Sequence, residues 1–296
     1  MAGFPSSKQT KYHTRSNSLP SRPHPLISQC DEHLTRLRDF DSSSSSSSSI
    51  SQQLCGLEDL HECVQKLLLL PSIQEAFVRQ CGEKWFNELL DGSLRLLDMC
   101  SSAKDALIHT KECVRELNSA IRRRSETTNE IKKYLASRKV VKRAIQKALN
   151  TNRSIDTKRN TTVGSDNNVI AMVSLLEEVE AISLGLFESL LLLISGKKTK
   201  TKTKSSWSIL SVMHSKREVC PEVEAELNEF SNMDNALNSV TYQKPSKGKD
   251  TTQAFENVQN HLEKLELGTR DLERTIERVF RRLIKTRVSL LNILSN

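Results

Sequence analysis

The chain has 296 residues, of which 27% are charged, 36% are apolar and only 4% are aromatic, and its formal net charge is +8. β-Sandwiches and β-barrels need many Gly and Pro turns and strands rich in β-branched and aromatic residues, whereas this chain has nine Gly and seven Pro. The chain consists mainly of Leu, Glu, Lys, Arg and Ser, and this composition excludes an all-β fold and predicts an all-α protein.

The N-terminal tail differs in composition from the rest of the chain. Residues 1–25 hold four of the seven prolines and many Ser and Thr, which is typical of a disordered segment. A short helix is predicted over residues 26–40, followed by a flexible linker at about 41–50, where eight serines run from Ser42 to Ser49.

The next predicted helix covers residues 51–70 and stops at Pro71, which can open a new helix because its fixed φ suits a first turn. Gly82 and Gly92 either break or bend the chain that follows. A long helical pattern then runs from Ser93 to Arg124, with apolar residues spaced by threes, fours and sevens.

An amphipathic helix is predicted over residues 129–149, a polar loop over 150–166 and a strongly apolar helix over 167–195. Asp166 can cap the last of these helices, and Gly196 with the following Lys/Thr run can end it. Further helical segments are expected at about 205–215 and 221–240, with linkers at about 196–204 and 241–250.

The last segment has the clearest pattern. Counting sevens from Val258 and from Phe255 gives twelve positions, of which only Thr269 and Thr286 are not apolar. This is a coiled-coil seam, and as one helix residues 254–295 would extend over about 60 Å. Such a helix either packs along its own chain or pairs with a second chain. The predicted seam residues are Val258, Leu262, Leu265, Leu272, Ile276, Val279, Leu283, Leu290 and Ile293.

We expect the seam to pack inside its own chain, because several earlier helices also have apolar stripes to cover. The fold expected is therefore an all-α, elongated multi-helix bundle. It has a long C-terminal heptad-patterned helix and a disordered N-terminal tail, and residues 26–295 form its single helical domain.

Two sequence features suggest binding. The run Arg15, Ser16, Asn17, Ser18, Leu19, Pro20 matches the phosphopeptide pattern R-S-x-S-x-P, which 14-3-3 proteins read when the second Ser is phosphorylated. The alternatives are a plain disordered tail and a weak transit peptide, since the segment bears Ser and Arg and has no acid. A candidate basic patch resembles a nuclear-import signal, but its loose spacing favours a solvated helix face. Its members are Arg122, Arg123, Arg124, Arg138, Lys139, Lys142 and Arg143.

No pattern of catalytic or cofactor-binding residues was found, so we expect no catalytic residue, cofactor, metal or small-molecule substrate. Seven cysteines without a C-x-x-C pair suggest neither a disulfide framework nor a zinc site and fit a reducing compartment. No apolar signal segment starts the chain. The most apolar segment, 181–195, is short and contains Glu188, so no transmembrane helix is expected.

Four blocks carry a family resemblance. They are HTRSNSLPSRPHP at residues 13–25, DGSLRLLDMC at 91–100, YLASRK at 134–139 and FRRLIKTRVSLLNIL at 280–294. In this order the chain resembles the plant-specific BYPASS-related proteins, a helical family without an assigned catalytic activity. The resemblance implies a role in plant root and shoot development.

The sequence thus predicts a non-enzymatic, cytoplasmic helical interaction or regulatory protein with a phospho-regulated tail and with protein partners, a 14-3-3 protein among them. One alternative is a peripheral membrane protein that uses basic amphipathic helices on an anionic surface. A second is a nuclear regulatory protein. Nucleic acid is not an expected partner, because aromatic residues are nearly absent from the basic regions.

Overall fold

The computed structural model describes residues 24–39, 46–123, 127–154, 167–197, 228–242 and 249–295. Over these residues the chain is all-α, as predicted, with no strand. Most of the tail predicted over residues 1–25, and the helix predicted at 205–215, lie outside the described residues. The helices are α1 (Pro25–Asp39), α2 (Ser47–Leu68), α3 (Pro71–Gln80), α4 (Glu83–Arg123), α5 (Thr127–Ser154), α6 (Asn167–Ser195), α7 (Glu229–Tyr242) and α8 (Lys249–Ser295).

Helix α2 begins inside the serine run, which corrects the linker predicted at 41–50. Ser46 has extended backbone angles and its hydroxyl accepts a hydrogen bond from the Ser49 N–H at 3.2 Å. The carboxylate of Glu229 on α7 also accepts from the Ser47 N–H at 3.1 Å and from the Ser47 hydroxyl at 2.9 Å. These acceptors satisfy N–H groups that a helix start leaves unpaired, so serines can open the helix.

Helix also extends into two other predicted linkers. Helix α5 continues to Ser154, five residues into the loop predicted at 150–166. Helix α7 ends at Tyr242 and α8 begins at Lys249, so each extends two residues into the linker predicted at 241–250. Helix α6 ends at Ser195 as predicted, and Gly196 takes a φ of 73°, which favours glycine.

Gly82 and Gly92, which the sequence predicted either to break or to bend the chain, have different positions in the structure. Gly82 lies between α3 and α4, whereas Gly92 is buried inside α4, which continues through it. Pro71 is the first residue of α3, as predicted. Most of the predicted long helices therefore appear with small shifts at their ends.

Helix α8 runs through the centre of the bundle and packs mainly on α4 and α2, with α7 against its first half. All nine predicted seam residues are buried, each with 3% exposure or less. Thr269 is fully buried within the seam, and its hydroxyl donates to the Leu265 carbonyl of the same helix at 2.6 Å. The seam is thus covered by helices of its own chain.

Two ion pairs show that α2 runs parallel to α8. Arg278 contacts Glu58 at 2.7 Å, and Arg282 contacts Glu62 at 2.5 Å. Because the residue numbers rise together on both helices, the last residues of α2 lie beside the C-terminal half of α8.

Helix α4 runs antiparallel to α8. Lys111 contacts Glu273 at 2.6 Å, whereas Arg287 donates to the Leu90 carbonyl at 2.5 Å. The first turns of α4 therefore lie beside the last turns of α8, and α3 connects α2 to α4 at this same end of the bundle. We call it the α3 end.

Helices α1 and α6 also start at the α3 end. The Cys63 thiol near the end of α2 contacts the Leu26 carbonyl in the first turn of α1 at 3.4 Å. The last turn of α6 lies near α7, where Asn228 donates to the Leu193 carbonyl at 3.2 Å. Helix α7 sits toward the opposite end, because Glu229 caps the start of α2.

Candidate interaction surface

The α3 end carries most of the exposed apolar side chains of the described residues. Ten large apolar side chains are 40% exposed or more, and eight of them belong to helix segments that meet at this end. Val140 on α5 and Leu267 on α8 are the other two. Clustering of this kind is more informative than single exposed apolar residues, which are common on any protein. The eight are Leu69, Val78, Leu94, Ile170, Ile284, Val288, Leu291 and Leu294.

Four of these side chains flank the outer edge of the α4–α8 contact. Arg287 donates to the Ser93 hydroxyl at 2.7 Å across this edge. Ile284 lies three residues before Arg287 on α8 and Leu291 four residues after it, so both share its helix edge. Leu94 follows Ser93 on α4. We call the surface formed by Leu94, Ile284, Val288 and Leu291 the end surface.

The charge on the α8 side of the end surface is positive. From residue 278 to residue 295, α8 has five basic residues and no acidic one. Arg278 and Arg282 pair with carboxylates of α2, and Arg281 pairs with Glu277 at 3.1 Å, whereas Lys285 and Arg287 are in no ion pair among the described residues. Lys285 is exposed beside Ile284.

Acidic side chains at this end belong to α3 and α4. Glu75 pairs with Arg79 and Glu88 pairs with Lys84, while Glu83 and Asp91 are exposed. Acidic groups also flank Leu94 on α4, where Asp91 and Asp98 are both exposed, whereas the C-terminal part of α8 combines apolar and basic groups without an acid.

The sequence also contains apolar residues of the end surface that do not fall on the heptad positions of α8. Leu283, Thr286, Leu290 and Ile293 account for the seam in this stretch, so the apolar residues between them must face elsewhere. A helix with apolar residues outside its seam, and with no acid after Glu277, predicts a second contact surface.

The predicted phosphopeptide motif, with Arg15, Ser16, Ser18 and Pro20, lies outside the described residues. Of the candidate basic patch, Arg122 and Arg123 are exposed at the end of α4, Lys139 and Arg143 are exposed on α5, and Arg124 lies outside the described residues. The structure therefore splits the patch between two helices.

Arg138 does not belong to a surface patch, which corrects the prediction. It is 2% exposed, and its Nε and Nη2 donate to the Asp234 carboxylate of α7 at 3.1 and 3.2 Å. Nη2 also donates to the Ile194 carbonyl at 2.8 Å, and the guanidinium lies 5.6 Å from the Phe230 ring centre. Lys142 contacts the same carboxylate at 2.8 Å. Arg138 therefore joins α5, α6 and α7 in the core.

A family model described as Protein BPS1 matches residues 53–293, which is most of the chain. The chain belongs to the BPS1 family. The resemblance drawn from the four sequence blocks is thereby confirmed, and three of the blocks overlap the matched range. No curated protein and no solved structure is significantly similar to the chain.

In this BPS1-family chain, the groups with the largest pKa changes are enclosed in the core. Burial lowers the pKa of His61 to about 4 and raises the pKa of Cys100 to about 12. Burial likewise raises the pKa of the Tyr134 phenol far above its usual range. His61 lies within hydrogen-bonding distance of the Ser183 hydroxyl, at 3.0 Å. The Ser183 hydroxyl also lies 2.6 Å from the Val179 carbonyl, to which it donates, so its oxygen is available to accept from Nε2 of a neutral His61.

Two open cavities lie elsewhere on the bundle. One of about 300 Å³ between α4 and α5 is lined by apolar groups such as Met99 and Ala148, with Lys147 at its side. A polar one of about 710 Å³ lies where α2, α7 and α8 meet, lined by residues that include Cys55 and Arg274. Within the described residues, no group of three or more His, Cys, Asp or Glu side chains is arranged to hold a metal ion.

Helix α6 is the most apolar helix, but neither it nor any other described helix combines the length and apolar character needed to cross a bilayer. Its apolar side chains pack into the shared core, where Phe187, Leu190 and Leu191 are fully buried.

Proposed function

We propose that this BPS1-family chain is a non-enzymatic helical interaction and regulatory protein in plant root and shoot development, controlled through phosphorylation of Ser18. The observation that carries the proposal is the position of α1. Its first turn lies beside the last turns of α2, so residues 1–23 join the bundle at the α3 end, next to the exposed apolar side chains.

Ser18 lies seven residues before Pro25, a separation that spans at most about 25 Å in an extended chain. A phosphate there adds nearly two negative charges to a segment whose sequence has four basic residues and no acid. A 14-3-3 protein bound to the R-S-x-S-x-P motif would therefore be tethered at the α3 end. Such a partner could cover or uncover exposed apolar side chains there.

The enclosure of the titratable groups supports a non-enzymatic role. Catalytic acids, bases and nucleophiles combine a shifted pKa with access to a cleft. Here His61, Cys100 and Tyr134 have shifted pKa values but line neither of the two open cavities. Their pKa changes follow from packing in the core.

A nuclear role has less support. Burial of Arg138 removes one member of the proposed import signal, and Lys142 is engaged with Asp234. The remaining basic residues are split between the end of α4 and the middle of α5, so no single extended segment presents them together.

The proposal is tested by capture of the full-length chain on an immobilised 14-3-3 protein after treatment with a basophilic kinase. We expect the phosphorylated parent and a Ser21→Ala control to bind the 14-3-3 protein, and a Ser18→Ala variant not to bind it. Equal capture of the Ser18→Ala variant would contradict phospho-regulation through this motif. In plants lacking the protein, we expect the parent to restore root and shoot growth and Ser18→Ala to fail.

A further inference from the structure

We infer that the end surface, formed by Leu94, Ile284, Val288 and Leu291, docks the bundle onto an anionic lipid bilayer. This surface lies on described helices and includes no residue of the tail. The inference therefore goes beyond the proposed phospho-regulation and does not depend on it.

The exposed apolar side chains of the end surface on α8 form a continuous row. Ile284, Val288 and Leu291 recur at intervals of four and three residues, so they form one row along the exposed side of α8. Leu94 of α4 widens this row across the Arg287–Ser93 hydrogen bond. Exposed aliphatic side chains on a helix surface can enter the boundary between lipid headgroups and acyl chains without spanning the membrane.

Basic side chains lie beside this apolar row on α8. Lys285 is exposed next to Ile284, and Arg281 lies one turn before it with a side chain that is 70% exposed. No acid occurs on α8 after Glu277. Basic groups around an apolar row are typical of helices that lie on anionic membranes, where each basic group near the surface adds to the attraction.

The same charges disfavour a second copy of the chain as the occupant. A symmetric contact centred on Ile284, Val288 and Leu291 would bring the basic, acid-free halves of two α8 helices together, and the like charges would repel, because the exposed Asp91 and Asp98 flank Leu94 on α4 instead. An anionic bilayer would attract the same basic groups of α8 that would repel a second copy of the chain.

The test is co-sedimentation of the full-length chain with vesicles of phosphatidylcholine alone and of phosphatidylcholine mixed with phosphatidylserine. Val288→Glu is compared with Val140→Glu. Val140 is a close match because it is 56% exposed against 48% for Val288 and also has basic neighbours, Lys139 and Arg143. Circular dichroism of both variants checks that the helices are intact.

We expect the parent and Val140→Glu to bind the phosphatidylserine vesicles, and Val288→Glu to bind about tenfold more weakly, because it places a charge where an aliphatic group would be buried. Lys285→Ala should weaken binding about fivefold, and added salt should weaken binding of the parent. Binding to phosphatidylcholine alone should be weak for every form.

Three results would overturn the inference. The first is that the parent fails to bind phosphatidylserine vesicles, and the second is that Val140→Glu loses binding as strongly as Val288→Glu. The third is that light scattering shows a parent dimer that Val288→Glu converts to a monomer, while no form binds vesicles. This third result would assign the surface to a second copy of the chain. Loss of Ser18-dependent 14-3-3 capture would contradict the proposed function and leave the membrane result unchanged.

Discussion

Arg138 of α5 holds the carboxylate of Asp234 on α7 through two hydrogen bonds in the core of the bundle. The two residues are 96 positions apart, and the contact anchors a helix of only 14 residues. A buried charge pair of this kind is costly to break, because removing one partner leaves the other charge without compensation.

The first prediction concerns this pair. Arg138→Ala should lower the free energy of unfolding by about 3 kcal/mol, because Asp234 would remain buried with only Lys142 beside it. Arg143→Ala, an exposed basic residue on the same helix, should change it by less than about 0.5 kcal/mol. Urea unfolding measures both.

A double variant separates the pair from other effects of Arg138. Combining Arg138→Met with Asp234→Leu should recover most of the stability, since apolar replacements of buried ion pairs are often neutral. If the double variant is less stable than Arg138→Ala, Arg138 contributes mainly through its contacts with Ile194 and Phe230.

The second prediction is a pH dependence from His61. Its pKa in the folded protein is about 4, below the ordinary value of 6.5, because burial disfavours the charged ring. Below pH 6.5 the unfolded chain binds a proton that the folded chain does not, so stability falls as the pH drops from about 6.5 toward 4. At pH 5 the parent should be less stable than at pH 7 by about 2 kcal/mol from this group.

His61→Leu removes the titrating ring and should abolish this part of the loss between pH 7 and pH 5. The comparison is made by urea unfolding at both pH values. His33→Gln, on the half-exposed side of α1, serves as the control that removes a different imidazole. An unchanged slope in His61→Leu would contradict a buried neutral His61.

The third prediction compares two helical glycines. A Cβ on Gly268 of α8 would lie 3.0 Å from the Cβ of Ser47 and closer still to its hydroxyl, which Glu229 holds. A Cβ on Gly185 of α6 would meet no atom within 4 Å. Alanine improves helix propensity by about 1 kcal/mol at either position.

Gly185→Ala should therefore raise the free energy of unfolding by about 0.5–1 kcal/mol, whereas Gly268→Ala should lower it by about 1 kcal/mol, since overpacking exceeds the propensity gain. Thermal unfolding measures both variants under the same conditions. Stabilisation by Gly268→Ala would mean that α2 does not approach α8 this closely.

The fourth prediction concerns cysteine reactivity. Cys55 and Cys113 are half-buried, whereas Cys30, Cys63, Cys81 and Cys100 are buried. Burial raises the pKa of Cys81 to about 11 and that of Cys100 to about 12, so their reactive thiolate is scarce at neutral pH. Among the six cysteines of the described residues, peptide mass spectrometry after brief maleimide labelling should find Cys55 and Cys113 modified first. Equally fast labelling of Cys100 would contradict its enclosure.

Local sequence patterns predict much of the fold. Pro71 marks the start of a helix through its fixed φ, and Gly196 ends α6 with a positive φ. These signals act within a few residues, so they can be read without a structure. The seven-residue repeat of α8 likewise predicts which side chains face its neighbours.

Long-range pairing limits what the sequence predicts. Arg138 belongs to a run of basic residues and has the pattern of a solvated helix face, but Asp234 lies 96 positions away and draws it into the core. The start of α2 within a serine run depends in the same way on Glu229, 182 positions from Ser47. No local pattern contains either partner.

The end surface was predictable only in part. The apolar residues outside the seam of α8 can be seen in the sequence, but Leu94 joins them only because α4 and α8 run antiparallel. The directions of the helices, and not their patterns, gather the exposed apolar side chains at one end.

Hydrogen–deuterium exchange of the full-length chain, with and without phosphatidylserine-containing vesicles, tests the end surface most directly. Vesicles should slow exchange in peptides covering residues 284–295 and 90–97 and leave residues 136–143, around the exposed Val140, unchanged. Unchanged exchange at residues 284–295 in vesicle-bound protein, or equal slowing at residues 136–143, would contradict docking through this surface.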